Sequence, residues 1–295
     1  MNNDIIKVFV GCDPNNCDLE QMMVLDYSIH KNTSLPVEIV WMQLSRDPKS
    51  YWYSNPEKGE GWNTTKWATP FSGFRWAIPE YCDYSGKAIY MDSDVVILGD
   101  LAELWHHPID GQSIVAAKTN ADMTRLCTCT CTCTCTCIWD CDNAKSTILP
   151  VEQLRQYPDS HQKMMDLLQE NPQLVEPYQD SYNCIDGEEL AIEDIKILHY
   201  SDMGTQFSHK YSIARLHEEE SEHWFDGKIM AHPRQELIEL FDSYYNEALA
   251  SGYQLDNYRV NSFGKFPKKT NRRYKGNKIT RPSSFKSFFS RLLNS

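Results

Sequence analysis

No apolar run in this 295-residue chain approaches the length of about 18 residues that crosses a bilayer. Ile5 to Val10 is interrupted by Lys7 and is far too short for a signal core, and Met1 to Asp4 before it is polar. A cytoplasmic protein is expected, with its eleven cysteines kept as thiols and not paired in a disulfide framework. The triplets Asn32-Thr33-Ser34 and Asn63-Thr64-Thr65 are then chance glycosylation matches. Acid is what residues 257–295 lack. Eleven of the 29 Lys and Arg fall there, leaving 18 to face all 41 Asp and Glu in residues 1–256. So acidic a body repels phosphate and no nucleic-acid motif is present, so a nucleic-acid partner is not expected.

What is present reads as an α/β protein. Ile6 to Val10 is a buried first strand closed by Gly11-Cys12-Asp13-Pro14, and Asp18 to His30 follows as a helix with a stripe of Leu19, Met22, Met23, Leu25 and Ile29. Pro36 to Leu44 returns as a strand. That opening implies a Rossmann-like, mixed and mostly parallel sheet flanked by helices, with a crevice at the carboxyl ends of the strands. Residues 46–69, with Trp52, Trp62 and Trp67, read as a long functional loop. The aromatic share of 12% suits rings stacked on sugar faces and a packed core equally well.

A helix from Pro70 to about Ile78 leads into the strand Lys87 to Met91. Val95 to Leu98, a short helix Leu101 to Trp105 and a strand Ser113 to Ala117 come next. Helices are expected at about 150–156 and 161–170, and a strand over Lys196 to Tyr200. A long helix, Pro233 to about Gly252, closes the body on a face of Leu237, Leu240, Phe241, Tyr244, Tyr245 and Leu249. The body is placed at residues 1–256 and a basic, amphipathic tail at 257–295.

Asp92 and Asp94 stand two residues apart where a hydrophobic strand runs out. On extended backbone both carboxylates fall on one side, and two hard oxygen ligands suit Mn²⁺ or Mg²⁺ with positions left open for phosphate oxygens. Surface turns also produce Asp-x-Asp, but rarely framed by apolar runs. Ala88 to Trp105, with its Asp-x-Asp, hydrophobic run and Leu-x-x-Leu-Trp helix, closely resembles the retaining glycosyltransferases of family 8, a group including glycogenins and bacterial lipopolysaccharide galactosyl- and glucosyltransferases. The resemblance covers roughly residues 6–250.

It implies a GT-A fold, a nucleotide-sugar donor such as a UDP-hexose, and a divalent metal held by Asp92, Asp94 and a later histidine, matched here by His199 in Ile197-Leu-His-Tyr-Ser-Asp202. Read alone, such a histidine at a strand end is more often a core or surface residue than a ligand. The resemblance further implies donor contacts from Val10, Gly11 and Cys12 at the end of the first strand, where the glycine lets backbone and base approach, and from Ser93. Arg75, in Phe71-Ser-Gly-Phe-Arg75, offers its fork to the diphosphate or to Asp92; the plain alternative is an exposed helix cation.

After its histidine the family carries Gly at the third position and Lys at the sixth, where this chain has Asp202 and Thr205. Gly204, Thr205 and Gln206 are the neutral substitutes for phosphate contact and Lys210 the preferred cation.

Cys127 to Cys137 alternates Cys and Thr without a break. Counting back from Ile138-Trp-Asp-Cys141, the family's sugar-contacting Asn-x-Gly falls on Cys133, Thr134 and Cys135. Three readings stand: a core strand of thiol and hydroxyl side chains, a soft-metal site, or a slipped DNA repeat without selected function. Asn183 and Asp186 are acceptor-side candidates, or else solvated loop residues. No dedicated nucleophile is visible, which fits front-face attack by the acceptor hydroxyl.

In the tail, Phe285, Phe288, Phe289, Leu292 and Leu293 recur at helical spacing after Pro282 and Ser283. Beside so many basic residues this reads as an interfacial anchor on an anionic membrane, fitting a glycan or lipid-linked acceptor; docking on the body is the alternative. A sugar nucleotidyltransferase is disfavoured because no Gly-rich, Arg- or Lys-bearing loop follows the first strand. A thiol-rich metal-storage protein is the non-enzymatic rival.

Overall fold

A computed structural model describes residues 4–119, 132–221, 223, 225 and 227–265, with the backbone alone at Thr132 and Cys133. The anchor-like run 282–293 and most of the Cys-Thr tract lie outside the described residues. The first half of the body runs β1 (Ile6–Gly11), α1 (Leu19–Asn32), β2 (Val37–Met42), β3 (Ser54–Asn55), β4 (Glu60–Gly61), α2 (Ile78–Tyr81), β5 (Lys87–Asp92), β6 (Val95–Ile97), α3 (Leu101–Trp105) and β7 (Val115–Thr119). Then come β8 (Thr132–Asp140), α4 (Cys141–Ala144), α5 (Val151–Gln156), α6 (Ser160–Glu170), β9 (Val175–Pro177), β10 (Cys184–Ile185), β11 (Ile197–His199), α7 (His209–Glu218) and α8 (Gln235–Ala250).

Six strands form the main sheet in the order β2-β1-β5-β8-β7-β9. The β2–β1, β1–β5 and β7–β9 pairs are parallel and the two pairs made by β8 antiparallel, so the sheet is mixed and mostly parallel, as expected. A second sheet, β10-β11-β6, branches off where Asp92-Ser93-Asp94 leaves β5 and enters β6. The aspartate turn is thus the seam between two sheets, and β11 brings its own residues to that seam.

The helix expected over 70–78 is instead a turn and a short 3-10 segment, Phe74–Ala77, running into α2. Pro79 lacks an amide hydrogen and is tolerated only in a first helical turn, so a new helix starts at Ile78. The three tryptophans of the 46–69 loop are core residues: Trp52, Trp62 and Trp67 are buried, with ring centres 4.6, 5.1 and 5.4 Å from that of Phe74. They are not free to stack on a sugar.

Helix α1 is buried nearly all round through its first two turns, Glu20 and Gln21 included, beyond the single stripe its periodicity predicts. It lies between the sheets and α7 and α8, and a smaller core of Val24, Val96, Leu198, Tyr200, Phe207, Leu237, Phe241 and Tyr244 fills that space. On α8 the buried face is Leu237, Phe241, Tyr244 and Ala248, while Leu249 is exposed. Residues just beyond 256 pack on the body as well. Tyr258 is buried and donates to Asp26 Oδ2 at 2.7 Å, and the buried Phe263 places its ring 4.0 Å from the Arg46 guanidinium. No helix among the described residues is long and apolar enough to cross a membrane.

Candidate active site

Three strands deliver the site by register. In the β5–β8 pair Met91 stands opposite Thr136, and the next residues, Asp92 and Cys135, bring their side chains together with His199. In the β6–β11 pair Val95 stands opposite His199, and the Tyr200 amide donates to the Asp94 carbonyl at 3.1 Å. Parallel pairing of β1 and β5 puts Gly11 beside Asp92. Residues more than 100 positions apart thus meet at one point.

Asp92 is held by two donors. Arg75 Nη2 donates to its Oδ1 at 3.1 Å, and the Tyr90 hydroxyl donates to the same oxygen. Burial pushes the Asp92 carboxyl up to about 8, assisted by Cys135 and Asp94 and opposed by Arg75 and His199. A cation placed there would reverse that shift. Arg75 is buried, not an exposed helix cation: its Nη1 donates to Thr134 Oγ1 at 2.9 Å, its Nη2 to Tyr90 Oη at 3.0 Å and its Nε to the Ser72 carbonyl at 2.9 Å. Of the two partners expected for it, the structure provides Asp92. Thr134 is turned to Arg75.

His199 is 2% exposed, and its Nε2 lies 3.3 Å from Asp94 Oδ1. Its Nδ1 lies 3.1 Å from Asn183 Oδ1. With that oxygen accepting, Nδ1 carries the proton and Nε2 is the nitrogen available to a metal, the tautomer control usual for ligating histidines. Asn183 therefore orients His199, and being wholly buried it is not a solvated loop residue. Burial opposes a charged His199, but Asp94 outweighs it and holds the imidazole well above its usual range. Asp186 is buried too: its amide donates to the His199 carbonyl at 2.9 Å and its Oδ2 lies 3.1 Å from His232 Nε2.

Asp94 Oδ2 accepts from Gln206 Nε2 at 2.9 Å, whereas its buried Oδ1 has no hydrogen-bond partner among the described residues and faces the His199 imidazole at 3.3 Å. An orphaned carboxylate oxygen beside an imidazole nitrogen fits a divalent cation. Among the described residues, the side chains whose ligand atoms all lie within 4.8 Å of one another are Asp92, Cys135 and His199: one of the two expected carboxylates, the expected imidazole and a thiol, with Asp94 outside that group.

The remaining expected donor contacts separate. Gln206 belongs to the site through Asp94, and its Oε1 accepts from Gln21 Nε2 at 2.7 Å. Ser93 Oγ donates toward Gln21 Oε1 and Asp18 Oδ2, both at 3.1 Å. Gly204 spends both backbone groups internally, its amide on Asp202 and its carbonyl on Met230, and Thr205 is buried. Lys210 is not brought to the site; its ammonium is paired with Asp242 on α8. Val10 and Cys12 are wholly buried, and burial pushes the Cys12 thiol up. A Cβ on Gly11 would sit 2.9 Å from the Tyr90 hydroxyl and 3.1 Å from Phe71, so these rings by themselves favour glycine there. Cys133 is described by its backbone alone, opposite Lys118.

Sequence reasoning missed Tyr90, although it precedes Asp92 by two on the same strand and so shares its face. It missed Asp13 and Asp18 as well. The Asp13 amide donates to Asp18 Oδ2 at 2.9 Å, and Asp13 Oδ2 has no hydrogen-bond partner among the described residues. Burial pushes Asp13 up to about 6; burial and the neighbouring Asp13 push Asp18 up to about 8. A carboxyl whose pKa rises on folding stabilises the fold less as pH climbs from its unfolded toward its folded value, and the loss is complete above the latter. Asp18→Asn is therefore expected to gain stability relative to the parent between about pH 4 and 8, on the order of 1.4 kcal/mol per unit of displacement. Thermal melts at pH 5 and pH 8 check this; equal differences at both would mean Asp18 ionises normally.

A mixed sheet with an acidic turn at its seam defines a GT-A type of α/β protein. Among solved structures, the apo form of the glycosyltransferase GlyE of Streptococcus pneumoniae TIGR4 superposes with a TM-score of 0.50 at 14% identity, over 84% of this chain and 64% of that one. The bifunctional glycosyltransferase WbbM superposes at 0.51 with 13% identity, over 86% and 51%. At such identities these likenesses speak for the fold. The family described as Glycosyl transferase family 8 matches residues 20–178, and the chain belongs to that family. The matched span holds Arg75, Asp92, Asp94 and Cys135 and stops short of His199. Protein CDI of Arabidopsis thaliana is 37% identical over 100 residues, 33% of this chain and 35% of the length of that relative.

Proposed function

We propose that this protein is a metal-dependent retaining hexosyltransferase that draws on a nucleotide-sugar, a UDP-hexose, and serves a glycan or lipid-linked acceptor. The observation carrying this reading is the orphaned Asp94 Oδ1 beside His199 Nε2, one turn from Asp92 at the seam of the two sheets. Asp92, Asp94 and His199 would hold Mn²⁺ or Mg²⁺. Bound there, the ion supplies positive charge to the departing nucleoside diphosphate.

The chain's own residues set that site up. Arg75 and Tyr90 fix Asp92, Asn183 fixes the imidazole, and Gln206 fixes Asp94, so the ligands are oriented before the donor arrives. Burial of His199, Asn183 and Arg75 keeps water off one side of the site. Ser93, Gln21 and Asp18 form a polar network behind the turn that limits its movement.

A second reading, a protein that binds nucleotide-sugar but turns it over poorly, is favoured by Thr134 and Cys135. They occupy the sugar-contact segment, yet one is engaged by Arg75 and the other lies among the ligand atoms. Hydrolysis and binding measured over a panel of UDP- and GDP-sugars, with Mn²⁺ and with chelator, separate the two. Metal-dependent hydrolysis of one UDP-sugar is the expected result. UDP binding without hydrolysis of any sugar would favour the second reading, and no nucleotide binding would remove both.

A further inference from the structure

Resting on the reading of this seam as a divalent-metal site, we propose that Cys135 is itself a metal ligand, and that its sulfur turns a hard-cation site into one preferring zinc-like ions. Cys135 is the side chain that completes the group with Asp92 and His199, and its sulfur lies within 4.8 Å of a carboxylate oxygen and an imidazole nitrogen. Bonds of about 2.0–2.3 Å from a zinc-like ion to oxygen, nitrogen and sulfur leave only small side-chain shifts to close such a set.

The strand dictates which thiol takes part. Thr134 is taken by Arg75 and Cys137 is wholly buried in the main core, which leaves Cys135 as the β8 side chain grouped with Asp92 and His199. Cys135 adjoins the last paired step of β5 and β8, Met91 opposite Thr136, and its sulfur lies with the Asp92 carboxylate and the His199 imidazole.

The donor set then decides the ion. Carboxylate and water oxygens suit Mg²⁺ and Mn²⁺, whereas imidazole and thiolate favour Zn²⁺ and Co²⁺. On coordination the Cys135 thiol gives its proton to solvent and binds as thiolate, so metal uptake releases protons. The Cys-Thr alternation that replaces the family's amide-and-glycine segment thereby acquires a chemical consequence: it changes which ion the site keeps.

Co²⁺ titration of the reduced full-length protein, followed by absorption, tests this. The expected result is a near-ultraviolet sulfur-to-cobalt charge-transfer band saturating at one equivalent. It persists when Cys127, Cys129, Cys131 and Cys133 are all changed to Ser, and is absent in Cys135→Ser. Competition should show Zn²⁺ displacing Mn²⁺ with a preference at least tenfold weaker in Cys135→Ser, which circular dichroism should show to be folded.

A band surviving in Cys135→Ser, or lost with the four upstream cysteines, would overturn the proposal by assigning the sulfur to another part of the tract. Visible cobalt bands without any charge-transfer band would overturn thiol ligation while leaving the oxygen and nitrogen site standing. Failure to bind Co²⁺ together with failure to bind UDP in Mn²⁺ would remove the metal-site reading as well.

Discussion

Asp94→Asn is expected to lower metal-dependent cleavage of the donor by about 10²–10³-fold or more while leaving the fold intact. The variant keeps the shape of the side chain, and its amide oxygen still accepts from Gln206 Nε2, the bond that now holds Oδ2 at 2.9 Å. What it loses is the charge on Oδ1, the buried oxygen without a hydrogen-bond partner, 3.3 Å from His199 Nε2. If a cation completes that pair, removing the charge weakens its binding and leaves the leaving group less well neutralised. If Asp94 only pairs with the imidazole, turnover should persist. Donor hydrolysis with Mn²⁺ and with chelator, beside far-ultraviolet circular dichroism, checks both halves. Full metal-dependent activity in a folded variant would take Asp94 out of the ligand set.

The second large effect concerns stability. Glu20 on α1 is 1% exposed, and Arg215 on α7 grips both its oxygens, Nε to Oε1 at 2.6 Å and Nη2 to Oε2 at 2.9 Å, while Nη2 also donates to the Asn16 carbonyl at 2.8 Å. Removing one partner of a buried pair strands the other, so Arg215→Ala is expected to cost about 3–5 kcal/mol. For a chain of this size that is a fall in Tm on the order of 10 °C. Replacing both with Met should recover much of the loss, because an apolar pair of similar volume carries no desolvation penalty. Denaturant unfolding of the parent, the single and the double variant decides it. A single-variant loss under about 1 kcal/mol would mean that water reaches Glu20 once the guanidinium is gone. The pair matters beyond stability, since α1 also carries Gln21, which braces Gln206 and through it Asp94.

Several parts of this site were legible in the chain alone because they depend on local order. The apolar run of β5 and the two-residue spacing of Asp92 and Asp94 fix where a strand ends and which way two carboxylates point. The alternation of strand and helix over residues 6–44 fixes an α/β sheet with its crevice at the strand ends. His199 was found by its neighbours' resemblance to a family and not by any periodicity.

Other assignments needed strand pairing, which periodicity does not encode. Asn183 read as a loop residue until β10 and β11 paired and turned its amide to His199. Gly11 suggested a close approach of backbone, and the fold shows Tyr90 and Phe71 already leaving no space for a side chain there. Lys210 was the cation nearest in sequence to a missing family lysine, and helix packing directs it to Asp242. The Cys-Thr alternation announced a strand with two kinds of face, and only the folded structure set one sulfur beside Asp92 and His199. A chain's own pattern sets which side a residue faces; which residue it faces is settled when strands distant in sequence share hydrogen bonds and exclude water together.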